Sequence, residues 1–299
     1  MKDLHPIAVV TDSAAGIPKM LLEKYRIAVA PLSILMDDKS FLDGINIDPP
    51  TFFRRLRAQQ EPQVKTSIPS PAVFQKIYRQ LAEWAQGIVS VHVAGEQSGT
   101  YGSARLAAED SPVPVVVVDS ETTAMAQGFV TLEAARAALQ GATLHEVVER
   151  ARAVVPNVEV TALLETINYA VQGGRLASAA RLLGNLLRIQ PLVRVAENKV
   201  SLIGQTRRRR KGLRQLLESV QARVGESPVH IAVHHAGDEA EGQALLEQLQ
   251  AHLNCVEAYL TWVPVALGVH AGPGAVGVAC YVEGQGLRKG PGWGPNIRS

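Results

Sequence analysis

The sequence predicts an α/β protein, with a parallel sheet carrying helices on both faces, followed by a second, mixed α+β domain. Three observations carry this. Short, largely apolar runs (Ile7–Val10, Ile88–Val93, Val113–Val118) alternate with stretches of helical periodicity, the pattern of buried parallel strands joined by helices. Near Pro156-Asn157 the pattern changes, and hairpins begin to mix with crossovers. From Gln285 the chain is rich in Gly, Pro and basic residues and reads as a disordered tail. The expected division is residues 1–158, 159–284 and the tail 285–299.

Taken in order, Ile7–Val10 is a strand ending in Thr11-Asp12-Ser13, and Pro18 opens a helix through Tyr25. Ala28–Met36 and Ser40–Leu42 flank Asp37-Asp38-Lys39 as a hairpin. Pro49-Pro50 starts a helix, since a first-turn Pro gives up no hydrogen bond. Val73, Phe74, Ile77, Tyr78, Leu81 and Trp84 share one helical face. Ile88–Val93 leads through Ser98-Gly99-Thr100 into a helix ending at Ala108, and Val113–Val118 ends in Asp119-Ser120. Helices follow at Thr123–Leu139 and Thr143–Val155, the second with Thr143 as its cap. The second half reads as a strand at Val158–Leu164, helices before Gly173 and over Ser178–Leu187, and a hairpin of Leu192–Val195 with Lys199–Ile203. A helix over Arg210–Val224, a strand at Val229–Val233, a helix over Asp238–Leu253, and strands at Val256–Trp262 and Ala275–Val282 complete it.

Composition narrows the function classes. Of 299 residues 46% are hydrophobic and 19% charged, a globular balance. Aromatics are 5%, so aliphatic side chains fill the core or line an apolar tunnel. A net charge of +2 argues against a nucleic-acid surface. Cys255 and Cys280 sit apart in apolar runs and read as reduced, buried thiols. The N-terminus lacks an apolar signal core, and no apolar run reaches the ~20 residues that span a bilayer, so the expectation is a soluble cytoplasmic protein. No metal site is expected: His234 and His235, adjacent on a strand, point to opposite faces.

The chemistry-bearing residues cluster at strand ends. Thr11-Asp12-Ser13, Ser98-Gly99-Thr100 and Asp119-Ser120 each follow a strand of the first half, where an open parallel sheet binds ligands. Hydroxyls and free amides there suit an anionic oxygen; equally, each residue can be a helix cap. Thr66 and Ser67 precede the cap Ser70 and read as a polar loop with free hydroxyls. His270 lies in the glycine-rich Gly268–Gly274 stretch, and Arg175 follows Gly173-Gly174; a His donor and a forked guanidinium both suit a carboxylate. Arg207-Arg208-Arg209-Arg210-Lys211 is the strongest charge run and sits at a helix start, the unfavourable end for positive charge.

Five segments in order, Val10-Thr11-Asp12-Ser13, Lys65-Thr66-Ser67-Ile68-Pro69-Ser70, Ser98-Gly99-Thr100-Tyr101, Gly173-Gly174-Arg175 and His270-Ala271-Gly272-Pro273-Gly274, resemble the DegV family of bacterial fatty-acid-binding proteins. The resemblance runs from Ile7 to Val282. It implies a two-domain protein that buries a long-chain fatty acid in its first domain, with no cofactor of its own, and holds the carboxylate near the domain junction. By position Thr66, Ser98, Gly99, Arg175 and His270 would hold that carboxylate, with Ser67 and Thr100 in support. Some members are the non-catalytic subunit of a fatty acid kinase, so an ATP-dependent kinase subunit is the implied partner. Arg207, Arg208, Arg209 and Arg210 would then dock that partner or touch an anionic membrane transiently. Ile68 and Gln97 depart from the family pattern beside the head-group residues. Two other readings compete: an acyl hydrolase or transferase using Ser98 and His270, with Asp12 or Asp119 to orient the His, and a lipid-sensing interaction protein.

Overall fold

The computed structural model describes residues 6–58, 63–175 and 189–284. The helix read over Ser178–Leu187 and the tail from Gln285 lie outside the described residues.

The first unit runs β1 (Ile7–Asp12), α1 (Lys19–Lys24), β2 (Ala28–Ala30), β3 (Ser33–Met36), β4 (Lys39–Leu42), α2 (Pro49–Ala58), β5 (Val64–Ser67), α3 (Pro71–Leu81), β6 (Gly87–His92), α4 (Thr100–Ala108), β7 (Val115–Asp119), α5 (Ala124–Leu139) and α6 (Leu144–Val154). Four of its strands form a parallel sheet in the order β2-β1-β6-β7. The strands β4-β3-β5 form a separate antiparallel sheet. The single strand expected over Ala28–Met36 is therefore two. Pro31, which has no N–H for a ladder, separates β2 from β3, and the chain changes sheets there. Thr143 caps α6 in a reciprocal pair with Glu146.

The second unit comprises β8 (Val158–Leu163), α7 (Asn168–Gln172), β9 (Gln190–Ala196), β10 (Lys199–Thr206), α8 (Arg209–Val224), β11 (Val229–His235), α9 (Glu239–His252), β12 (Cys255–Trp262), α10 (Val265–Ala271) and β13 (Val276–Val282). Its six strands pair in the order β10-β9-β8-β13-β11-β12, antiparallel except for β11 with β12. The architecture is thus the α/β one expected, a parallel sheet with helices beside a mixed α+β unit.

One helix joins the two. From Ala124 to Ala135 every residue of α5 is buried, Gln127, Thr131 and Glu133 included, so this helix lies inside the protein on all sides. Its neighbours include Val9, Val89 and Val91 from the parallel sheet and Val158, Val160 and Ala279 from the mixed one, in one continuous core. The buried polar residues Gln127 and Thr131 on α5 bond Thr11 of β1. The segment after β6 and the α10 segment between β12 and β13 contribute residues to one cavity.

Candidate functional site

An apolar cavity lies between the two units. Its wall is built mostly from small apolar residues, among them Ala14, Ala94, Ala162, Ala170, Ala266 and Ala275. Val160, Val193, Val195 and Val200 complete it from β8, β9 and β10. Small side chains on facing elements leave unfilled the space that Leu or Phe would occupy. The tunnel is expected inside the first domain, whereas this cavity lies between the first unit and the second. Strands β8 and β9 and helix α10 supply a large share of the lining.

Four expected residues, Thr66, Ser98, Arg175 and His270, line this cavity together with Gln97. His270 is not in a glycine-rich loop but in the last turn of α10. Gly268 lets that helix approach α2, since a Cβ there would meet the Phe53 ring at 2.6 Å. Thr66 is on β5 rather than in a loop: its neighbours pair with β3, and the period of two leaves Thr66 half-buried while Lys65 and Ser67 are exposed. Ser67 therefore lies on the face away from the cavity. Thr66 Oγ1 and His270 Nε2 are 3.3 Å apart. His270 Nδ1 is buried and has no hydrogen-bond partner among the described residues. Burial, helped by the positive charge of Arg175, pushes the His270 pKa down to about 4, so the ring is neutral at pH 7.

Ser98 Oγ lies 2.9 Å from Thr100 Oγ1 and accepts the Thr100 N–H at 3.3 Å. Thr100 is fully buried at the start of α4, which holds Ser98 at the helix mouth, and Gly99 is the exposed capping residue. Arg175 donates from Nη1 to the Gly173 carbonyl (2.6 Å) and from Nε to the Gln97 carbonyl (3.3 Å), bridging α7 to the Ser98 loop. Asp43, not singled out in the sequence, is 5% exposed and accepts the Ala266 N–H at 3.1 Å, so it caps the helix that carries His270. Burial pushes its carboxyl up to about 6.

The remaining strand-end residues are structural. Asp12 accepts the N–H groups of Ala14 and Val93, each at 3.0 Å, and the His92 Nδ1–H at 2.9 Å. Asp119 accepts from Gly95, Glu121 and the Asn198 amide. Neither orients His270, and no hydrogen bond links His270 to Ser98 among the described residues. The charge run begins α8. Arg209 forks onto Glu241 (Nε to Oε2, 2.9 Å), whereas Arg207, Arg208, Arg210 and Lys211 are exposed. No group of three or more His, Cys, Asp or Glu among the described residues could hold a metal.

Comparison with known proteins decides the family. Residues 6–283 match the family model described as "Uncharacterised protein, DegV family". The chain belongs to the DegV family. A DegV domain-containing protein of Streptomyces coelicolor is 35% identical over 274 residues, spanning 91% of this chain and 97% of that one. The DegV family protein of Thermus thermophilus, whose structure concerns its fatty acid binding, superposes with a TM-score of 0.86 at 28% identity, covering 93% of this chain and 99% of that one. DegV of Bacillus subtilis, described as a fatty acid binding protein, gives 0.84 at 27% identity, covering 93% and 100%. The two-unit α/β architecture is the DegV fold.

Proposed function

We propose that this DegV protein binds a long-chain fatty acid in the cavity between its two units, with the carboxylate at the Thr66–Ser98–His270 rim. The single observation that carries this is an apolar chamber with hydroxyls, a neutral imidazole and a guanidinium gathered beside it. The fatty acid binding of the Thermus thermophilus and Bacillus subtilis relatives supports the same reading. Burying the chain contributes about 0.8 kcal/mol per CH₂, so the chamber supplies most of the affinity. The carboxylate, taken from water, must be hydrogen-bonded. Thr66 and Ser98 hydroxyls, the Gly99 N–H and His270 donate to it, Arg175 offsets its charge, and Thr100 holds Ser98. Residues 1–158 and 159–284 serve as the two domains that meet there.

The protein itself carries out no chemistry in this reading. It presents the carboxylate to an ATP-dependent kinase subunit in the cytoplasm. A carboxylate oxygen attacks the γ-phosphorus, the bond to ADP breaks, and an acyl phosphate forms. The exposed Arg207, Arg208 and Arg210 would dock that subunit or an anionic membrane; Arg209 is committed to Glu241. No helix among the described residues is long and apolar enough to cross a membrane.

Native mass spectrometry, followed by lipid extraction under denaturing conditions, tests the core of this. A stoichiometric long-chain fatty acid, weakened or lost in Ser98→Ala, is expected. A protein that carries none and takes up none when fatty acid is added would overturn it. Addition of ATP and a kinase subunit, with hydroxylamine trapping of acyl phosphate, tests the presentation step.

A further inference from the structure

The loop that carries Ser98 and Gly99 is held from outside its own unit. The β9–β10 hairpin turns at Glu197 and Asn198, both left-handed (φ 53° and 59°), as a two-residue turn of this hand requires. From that tip Asn198 makes four hydrogen bonds. Its N–H donates to the Glu121 carbonyl at 2.9 Å. Its Nδ2 donates to Asp119 Oδ2 at 3.2 Å. Its Oδ1 accepts the Glu96 N–H at 3.4 Å, and its carbonyl accepts Gln97 Nε2 at 2.9 Å. Asp119 in turn accepts the Gly95 N–H, at 3.1 Å from Oδ2. Three successive residues just before Ser98 are thus tied, directly or through Asp119, to one side chain and backbone of the other unit.

The tie matters because little else fixes this loop from the second unit. On one side Arg175 donates to the Gln97 carbonyl; on the other Asn198 holds Glu96 and Gln97. The same hairpin lines the chamber through Val193, Val195 and Val200. Part of the chamber wall and the clamp on the Ser98 loop therefore belong to one hairpin.

We infer that Asn198 is the positioning residue of the carboxylate site. It does not touch the ligand. It sets where Ser98 Oγ and the Gly99 N–H stand relative to Thr66 and His270, which come from other elements. This rests on the fatty acid reading above. A displacement of about 1 Å at such a site is enough to lose a hydrogen bond.

The test compares a long-chain fatty acid with the fatty alcohol of equal length, because only the acid uses the charged head-group contacts. Asn198→Gly keeps the left-handed backbone and removes both side-chain bonds. Asn198→Ala removes both side-chain bonds without adding a charge, and is the second variant should the glycine fold poorly. Each is expected to bind the acid roughly tenfold more weakly while binding the alcohol as the wild type does. Unchanged affinity for both ligands overturns the inference. Equal weakening of acid and alcohol also overturns it, since Asn198 would then support the chamber as a whole and not the head-group site. Wild-type protein that binds neither ligand instead removes the fatty acid reading, and the inference falls with it.

Discussion

Replacing Gly173 by alanine displaces His270 without touching it chemically. Gly173 closes α7 with φ −74°, a value alanine adopts freely, so the backbone carries no penalty. At a compatible site Gly→Ala stabilises by about 0.4–1 kcal/mol through the unfolded chain. The added Cβ, however, would stand 2.0 Å from His270 Nδ1 and 2.7 Å from Cε1. Carbon and nitrogen settle at roughly 3.5 Å, so the ring must retreat by more than about 1 Å. The Thr66–His270 contact, already 3.3 Å, does not survive that. If His270 donates to the bound carboxylate, losing a hydrogen bond to a charged group costs about 1.5–3 kcal/mol, or roughly 10- to 150-fold in Kd. Titration calorimetry with a long-chain fatty acid, alongside thermal unfolding, reads both effects. The expected result is weaker binding with Tm close to wild type, and no further loss when Gly173→Ala is added to His270→Ala. Gly173→Ala that binds within twofold of wild type would refute the placement of His270 at the carboxylate.

Three other outcomes follow from the structure. His234 accepts the Met125 N–H at Nε2 and donates from Nδ1 to the Trp262 carbonyl, an arrangement only the neutral ring satisfies, and burial holds its pKa at about 4. Between about 4 and the unfolded value near 6.5 the unfolded chain binds more protons, so stability falls as pH falls through that window, by on the order of 3 kcal/mol for this residue. Urea unfolding of His234→Gln against pH should show a correspondingly shallower loss; parallel profiles would contradict the assignment. Asp43, raised to about 6, acts with the opposite sign, which is why the comparison uses the variant and not the wild-type profile alone. Ala162→Leu adds three carbons to the chamber wall and should exclude a similar length of acyl chain, at about 0.8 kcal/mol per CH₂, shifting co-purified lipid to shorter chains by mass spectrometry. Arg209→Ala breaks the fork onto Glu241 between α8 and α9 and should lower urea stability by about 1–3 kcal/mol; a change below about 0.5 kcal/mol would place that pair with ordinary surface ion pairs.

Strands buried on both faces were the most legible part of the fold. β1 and β6 are predominantly apolar runs, and every residue along them is buried, the polar Thr11, Asp12, Ser90 and His92 included. β5 was hidden because Lys65, Thr66 and Ser67 have no apolar alternation; it is a strand because β3 pairs with it. The helix under His270 was hidden by Gly268, Gly272 and Gly274, which read as a loop. Gly268 is required by the Phe52 and Phe53 rings, not by a turn. The chamber was illegible for a different reason. An aliphatic-rich composition describes a filled core and a lined cavity equally well, and only facing rows of alanine and valine distinguish them. Asn198 read as nothing more than a hairpin turn, because its partners Glu96 and Asp119 lie far away in sequence.

Residue type alone would have chosen the wrong active site in this protein. Asp12, His92 and Ser90 form an unbroken hydrogen-bonded chain, 2.9 Å from Asp12 to His92 and 2.7 Å from His92 to Ser90, with Tyr78 donating to Ser90 at 2.9 Å. That is the residue set of a hydrolase triad, and all four side chains are fully buried. Nothing can reach the Ser90 hydroxyl, so the chain acts as a polar tie between β1, β6 and α3. At the chamber the situation is reversed. Ser98 and His270 line the open chamber, yet the serine bonds Thr100 and the histidine faces Thr66, and neither activates the other. A nucleophile needs its base within hydrogen-bond reach and a third group to orient that base. A carboxylate needs only donors spaced around it, with an apolar wall for its chain, and that is the requirement this geometry meets.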